Sequence, residues 1–465
     1  MVDNGRDTQN VYELFMRNFL PTPSRTPSMS GLWRTGAFGA QHVIVMYTGC
    51  VTVPLVFGAA LGLDQRTIGL LVNADLLIAG IVTIIQAAGI GNILGARMPV
   101  VAGASFTAVT PMILIGQEYG LNAVYGSMIG AGIFALLMAV PFSKLLRFFP
   151  PVVRGAAVTM IGLSLIGKAV SMIFDDGPAD GERLSLALGI IIVVVALMRY
   201  GRGFIRQAAV LTALVLGTIA AAAMSMTDFS GVGDAAWFGI PQPFFFGAPT
   251  FPLAGIISMS IVMIVIFIES TAYMMAISET TGIDADPPRI ARGLAADGAS
   301  AVLAGVWTSF PDTIFAQNVS LVRITKIASR SVVVFAGALL IIFALIPKLG
   351  ETIASLPGAV IGSVSLVMFA LVAGTGISTL SKVDYRNNDN LMIVSLALGA
   401  GMIPVVSKDI YTDFPAEVQI IFGNAISSAV ITAFVLNIVF HHLPPRRRGD
   451  DTPTAEPTSD KEVVA

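Results

Sequence analysis

Charge, cysteine and histidine are all scarce in this chain of 465 residues. Charged side chains make up 12% of it, about half the share a soluble domain carries, which excludes an ordinary water-facing surface. The only cysteine is Cys50, so no intrachain disulfide can form and nothing points to an oxidising compartment. The histidines, His42, His441 and His442, are too few and too scattered for a metal site or a nucleophile–base constellation. A formal net charge of −2 argues against nucleic acid as a partner. Gly201-Arg202-Gly203 lacks the strand–helix context of a nucleotide-binding loop.

What is abundant is apolar surface: 55% hydrophobic residues and a mean hydropathy of +0.81. It falls in blocks of about 20 residues, the length of helix that spans a hydrocarbon core. Runs such as Leu186 to Met198 are continuously apolar, unlike the alternating strands of a membrane barrel. The spacing predicts an all-α polytopic membrane protein with about fourteen spans, the first centred near Val45 and the last near Val430. The third and tenth, near Val109 and Val319, are broken by Gly, Pro and polar residues. Residues 1–35 are polar, with Arg6, Arg17, Arg25 and Arg34, so no cleavable signal peptide is expected. Both ends read as solvated tails.

Loop charge predicts orientation. Alternate loops carry Lys144, Arg147 and Arg154, then Arg199, Arg202 and Arg206, then Arg289 and Arg292. Further on come Arg323, Lys326 and Arg330, then Lys382 and Arg386. The loops between them are acidic or neutral, with Asp175, Asp176, Asp180 and Glu182 in one and Asp228 and Asp234 in another. Under the positive-inside rule both basic ends, Arg6 to Arg34 and Arg446 to Arg448, are cytoplasmic. An even number of spans follows, and fourteen fits.

The two halves also echo one another. Pro150 to Gly155 and Pro357 to Gly362 share the pattern P-x-x-V-x-G, each at the start of a span. The broken spans around Phe106 and Asn318 sit at a similar offset, roughly 210 residues. Seven spans per half is an odd number, so the second half is expected to be inverted. Paired broken segments in corresponding positions are the best sequence pointer to a carrier's binding site.

Non-helical backbone at membrane depth needs partners in protein or a wet cavity. Pro99 to Thr107 and Pro311 to Asn318 are such segments, and facing each other they could pair and offer donors to a planar polar ligand. Alternatively they are short re-entrant helices that only pack. Glu269 lies deep in the apolar run Ile264 to Tyr273, where an ionised carboxylate is costly, so it must be protonated, paired or facing a polar cavity. Tyr273 shares its face one turn on. His42, after Gln41, is the histidine inside a span; it is either part of the site or an interhelical hydrogen-bonder. Asp297 is a second intramembrane acid that could hold the coupling proton or brace the Gln317 loop. Asp75 is a third, with a structural role favoured, and Lys168 is expected to snorkel to the interface.

These residues resemble the nucleobase–ascorbate transporter (nucleobase:cation symporter-2) family over nearly the whole chain. The family signature is Gln, Glu or Pro, then Asn-x-Gly-x-x-x-x-Thr. Here it runs from Gln317-Asn318 to Thr325, with Ser320 in place of Gly. Gln41-His42, the Glu269 stretch and Asp297 match as well. The resemblance implies two inverted seven-span repeats whose broken spans 3 and 10 carry short β-strands. It implies a core domain (36–148 and 251–353), a gate domain (149–250 and 354–443) that dimerises, and cytoplasmic tails (1–35 and 444–465) in a bacterial inner membrane.

The implied activity is proton-coupled uptake of a purine by alternating access, with the proton as coupling ion and no other cofactor. Glu269 and Gln317 would bind the base, with Ser105, Phe106, Ala316 and Tyr273 lining the site and Asn318 supporting Gln317. His42 and Asp297 would organise the site and serve coupling. Gln317 looks like the xanthine and uric-acid branch, since the uracil branch has Glu there. Tyr273 stands where relatives often carry Asp or His.

Other readings remain open: a uracil or other nucleobase symporter, an anion transporter of the same seven-plus-seven architecture, a membrane enzyme or a channel. A central acid opposes the anion carrier, the sparse histidines and lone cysteine oppose the enzyme, and a channel has no use for a proton acceptor.

Overall fold

The computed structural model describes residues 29–145, 148–175, 177–386, 388–407 and 409–443. The tail residues 1–28 and 444–465 lie outside the described residues, as do Arg147 and Asp176 of the loop pattern. From the first described residue the chain forms α1 (Met29–Ala60) and α2 (Gln65–Ala88), then strand β1 (Ala102–Ala104), a 3-10 turn (Phe106–Ala108) and α3 (Val109–Tyr119). There follow α4 (Leu121–Leu145), α5 (Pro151–Phe174), α6 (Gly181–Tyr200), α7 (Phe204–Gln207), α8 (Ala209–Ala223) and α9 (Ser230–Asp234). After a long loop come α10 (Leu253–Thr281), α11 (Pro287–Trp307), β2 (Asp312–Ile314) and α12 (Ala316–Thr325). The chain continues through α13 (Arg330–Ala344), α14 (Pro347–Ala354), α15 (Gly358–Leu380), α16 (Asn388–Val406), α17 (Ala416–Phe422) and α18 (Ala425–His441).

Among the described residues, eight helices are long and apolar enough to cross a membrane, or nine if α13 and α14, bent by 80°, count as one span. The expected fourteen segments all fall on these elements, but several are not spans by length and composition. α8 and α18 have 15 and 17 residues. α11 carries Arg289, Arg292 and Asp297 within its 21 residues. The third and tenth segments are a strand followed by a short helix, because Gly, Pro and polar side chains interrupt the apolar run.

Local chemistry sets the ends. Asp64 caps α2 by accepting from Thr67 N at 3.0 Å, and Asp286 caps α11 by accepting from Arg289 N at 2.9 Å, ahead of Pro287. Both P-x-x-V-x-G segments open helices, α5 and α15, from a proline that fixes the entry dihedral.

The helices group into two bundles. In one, α2 packs on α13, α4 on α11 and α10, and α1 on α13, with the strands between them. In the other, α5 packs on α15, α16 on α18 and α6 on α8. The α2–α13 crossing is made at Gly80 and Gly337, where a Cβ on either would stand 2.7 Å from the other's carbonyl oxygen. Only glycine permits that approach, and in lipid such close backbone packing replaces the hydrophobic drive between helices. The result is an all-α polytopic membrane protein whose first bundle encloses a two-stranded break.

Candidate functional site

The break positions everything else. β1 and β2 pair antiparallel with Ala102 opposite Ile314, Gly103 opposite Thr313 and Ala104 opposite Asp312. Phe315 N donates to Val101 O and Ser105 N to Pro311 O, both at 2.9 Å, which extends the ladder at each end. Thr83 of α2 closes β1 from the side: its hydroxyl donates to Ala102 O at 3.1 Å and accepts from Ala102 N at 3.0 Å. The buried backbone polar groups of the two breaks are thus largely matched to one another, as lipid requires. Gly103 is needed here, because a Cβ would meet the Phe315 ring at 2.8 Å.

Each strand runs at once into a helical turn. Ser105 caps the 3-10 turn by accepting from Thr107 N at 3.3 Å. α12 begins at Ala316 with no side-chain cap, so its first N–H groups are unbonded donors pointing back toward the strands. α10 lies against the 3-10 turn, β2 and α12, which brings Glu269 to the point where the breaks meet. Glu269 is 8% exposed, and the Thr107 and Thr313 side chains lie beside its carboxyl. The Thr107 hydroxyl is buried with no aligned hydrogen-bond partner, and Thr313 Oγ1 lies 3.3 Å from Ser270 Oγ. Tyr273 is within electrostatic reach of Glu269, one turn along α10. Ser105 is buried, whereas Phe106, Tyr273, Ala316 and Gln317 are half-buried around Glu269's elements. The Phe106 ring stands edge-on to Phe369 of the second bundle, with centroids 5.3 Å apart.

His42 and Asn318 meet. Asn318 Nδ2 donates to His42 O at 2.9 Å and lies 3.0 Å from His42 Nδ1. A donor facing Nδ1 fixes that nitrogen as the acceptor and leaves the ring proton on Nε2. This pair ties α1 to the first turn of α12, one residue from Gln317. Asp297 bonds to α2. Its Oδ1 accepts from Gln86 Nε2 at 2.9 Å, and Gln86 also donates to Gly293 O at 2.9 Å and accepts from Ala96 N at 3.1 Å. Asp297 therefore anchors the turn between α2 and β1, and lies within electrostatic reach of Glu269 and Asp312. Its Oδ2 is buried with no aligned hydrogen bond, and the Ser270 side chain of α10 lies beside the carboxyl.

Three buried residues went unrecognised as partners in the sequence. Gln86 is fully buried, and its signal was an amide inside the apolar run Ile81 to Ile90. Asp312 was read only as part of the break. Its Oδ2 accepts from Ser300 Oγ at 2.7 Å, and Ser300 Oγ accepts from Asp312 N at 3.0 Å. Asp75 accepts from Cys50 Sγ at 2.7 Å and from Ser309 Oγ at 3.5 Å, and lies within electrostatic reach of Asp312. Cys50 is thus a hydrogen-bond donor in the packed interior. No group of three His, Cys, Asp or Glu side chains able to hold a metal occurs among the described residues.

The groups gathered at Glu269 are a carboxyl, the Thr107 and Thr313 hydroxyls and uncapped helix N–H groups, hydrogen-bonding chemistry suited to a flat polar molecule. Comparison with known proteins agrees in kind. Residues 34–410 match the model Xan_ur_permease, described as Permease family. The chain is 40% identical over 415 residues to the uric acid transporter UacT of Escherichia coli K12, covering 87% of this chain and 85% of that one. It is 39% identical over 416 residues to the xanthine permease of Bacillus subtilis 168, covering 89% and 95%. Among solved structures, the transmembrane domain of the cyanobacterial bicarbonate transporter BicA superimposes with a TM-score of 0.59 at 13% identity, over 91% of this chain and 98% of that one. That likeness is one of fold.

Proposed function

Because this chain belongs to the nucleobase–ascorbate transporter family, in its xanthine and uric-acid permease branch, and is a transporter and not an enzyme, we propose that it takes up a purine nucleobase, xanthine or uric acid, together with a proton. The observation that carries this reading is Glu269, a buried acid set where β1, β2 and α12 meet. In the proposed pose Glu269 accepts from ring N–H groups of the base. Gln317 reads another edge, and backbone groups near Phe106 and Ala316 complete the hydrogen bonding. Ser105 and Tyr273 line the site, and Asn318 holds Gln317 through its bond to His42. The names of the relatives support a purine.

The transport cycle follows from the cost of buried charge. Proton and purine bind from outside; discharging Glu269 makes the loaded site easier to carry through an apolar barrier than one with an ionised acid. His42 and Asp297 organise the site and serve the coupling. The first bundle then acts as a core (36–148 and 251–353) that moves against a gate (149–250 and 354–443).

Fourteen spans in two inverted repeats are part of the same proposal. The packing supports it: exchanging the halves turns the α2–α13 pair into α11–α4, α6–α8 into α16–α18, and α10–α4 into α1–α13, and all of these pairs are present. The two strands, one from each half, are antiparallel. A homodimer through the gate, residence in the inner membrane and cytoplasmic tails complete the reading.

Binding of labelled xanthine to the purified protein, with unlabelled competitors, tests the substrate class. Displacement by uric acid and not by uracil or bicarbonate is expected. Displacement by uracil or bicarbonate alone would overturn it.

A further inference from the structure

Away from Glu269 lies a cavity of about 610 Å³ with almost no polar surface in its walls. Val43, Ile44 and Tyr47 of α1 and Phe343 of α13 form one side, and Leu211 of α8 the other. Its remaining lining comes from α9, α14 and the turns beside them, at the C-terminal end of α1, among them Trp237 and Lys348. Their place is fixed by Gln65, which follows α1 and donates to Glu351 of α14 at 2.9 Å. Tyr47 lies about 20 Å down α1 from that end, at 1.5 Å per residue. The cavity therefore runs from the level of the loops to mid-membrane, and its volume lies within the range of about 300–1,000 Å³ that holds a small molecule.

A purine would find few polar partners there. The end groups suit something else. Lys348 Nζ stands 4.5 Å over the Trp237 ring and lies 3.4 Å from Gly233 O, while the described ion pairs involve only Arg183 and Arg386 as cations. An ammonium has three donors, so Lys348 keeps some for an anion. Trp237 is 75% exposed, as an indole at a membrane–water interface is. Apolar walls reaching mid-membrane, with a cation and an indole at the mouth, match one molecule: a phospholipid with its phosphate at Lys348 and an acyl chain between the bundles.

We infer that this cavity is a binding site for an anionic phospholipid of the leaflet opposite the basic loops. The consequence for transport rests on the core-and-gate reading, because α1 and α13 belong to one bundle and α8 to the other. A chain lodged between them must shift whenever the bundles move, so the lipid sets the rate of that motion. Beyond the deep end, Gln41 Nε2 donates to Gln207 Oε1 at 3.3 Å and links the same two bundles.

The lipid site itself is tested without transport. The full chain is placed in vesicles of phosphatidylcholine containing phosphatidylglycerol with a photoreactive group at mid-chain, irradiated, digested and mapped. Adducts should concentrate at Val43, Ile44, Leu211 and Phe343, several-fold above those at Ile192 and Val195, which are exposed on α6. Leu211→Trp, which fills the cavity, should bring the cavity adducts down to the α6 level. Lys348→Gln should reduce them to the yield seen with a photoreactive phosphatidylcholine. Unchanged adducts at α6 in both variants show that the protein is intact. A cavity yield equal to that at Ile192 and Val195, or one indifferent to Leu211→Trp, overturns the inference, whatever the transported substrate.

Discussion

Replacing Asn318 by alanine probes the joint that holds the candidate site in shape. The Asn318 amide faces two acceptors of one residue, the His42 carbonyl at 2.9 Å and Nδ1 at 3.0 Å, and both residues are 2% exposed. A buried acceptor left without its donor costs about 1–3 kcal/mol. The carbonyl keeps its bond within α1, so only Nδ1 is orphaned and about 1–3 kcal/mol is the total for Asn318→Ala. Asn318 follows Gln317 in the first turn of α12, so loosening that turn displaces the proposed substrate contact. If even about 1.4 kcal/mol of the loss reaches the site, the dissociation constant for xanthine rises about tenfold.

The assay is equilibrium binding of xanthine to purified wild type, Asn318→Ala, His42→Ala and the double variant. Both singles remove the Nδ2–Nδ1 bond, from opposite sides, while the bond to the His42 carbonyl is lost only in Asn318→Ala, so their effects should overlap, with an interaction energy of at least about 0.5–1 kcal/mol. Costs that simply add, or an affinity in Asn318→Ala within twofold of wild type, would refute the joint.

The remaining expectations are simpler. Glu269→Gln keeps the shape of the side chain and removes its proton exchange; uptake should no longer follow an imposed pH gradient while the protein stays monodisperse on size exclusion. Gly80→Ala places a Cβ 2.7 Å from Gly337 O and should lower the melting temperature in detergent, as overpacking costs about 1–3 kcal/mol. Gly189→Ala on α6, where a Cβ meets nothing within 4 Å, should leave the melting temperature unchanged or raised. In the loop between α15 and α16, hydrogen bonds from Arg386 hold the Asp384 carboxyl below its ordinary value. A depressed acid contributes stability above its unfolded value and loses it as pH falls through the folded one. Asp384→Asn should therefore lessen any difference in melting temperature between neutral and acid pH, and only slightly, because the pair is fully exposed.

Much of this arrangement could be read from residue order, for identifiable reasons. Apolar runs announce membrane helices whatever their packing, and Gly and Pro inside such runs mark where helix fails, so α1, α2 and both strand breaks were foreseeable. Glu269 stood out because an acid in an apolar run has few explanations. Partnerships across the fold were not legible. Asp297 looked equally suited to the Gln317 loop, yet it meets Gln86, which lies in a different span and 211 positions away. Asp312 was hidden in a segment already explained as a break, and its bond to Ser300 forms only because the chain doubles back after Trp307. Span number was least secure, since α8, α11 and α18 are short or charged and depend on neighbours for their place.

The central claim is proton-driven purine uptake, and its most direct test is accumulation of labelled xanthine and uric acid in proteoliposomes under an inward proton gradient. The account predicts accumulation of one or both above equilibrium, collapsing when an uncoupler is added. Failure of both to accumulate while uracil or an anion does would contradict it, and would leave Gln317 and Glu269 serving another substrate in the same fold.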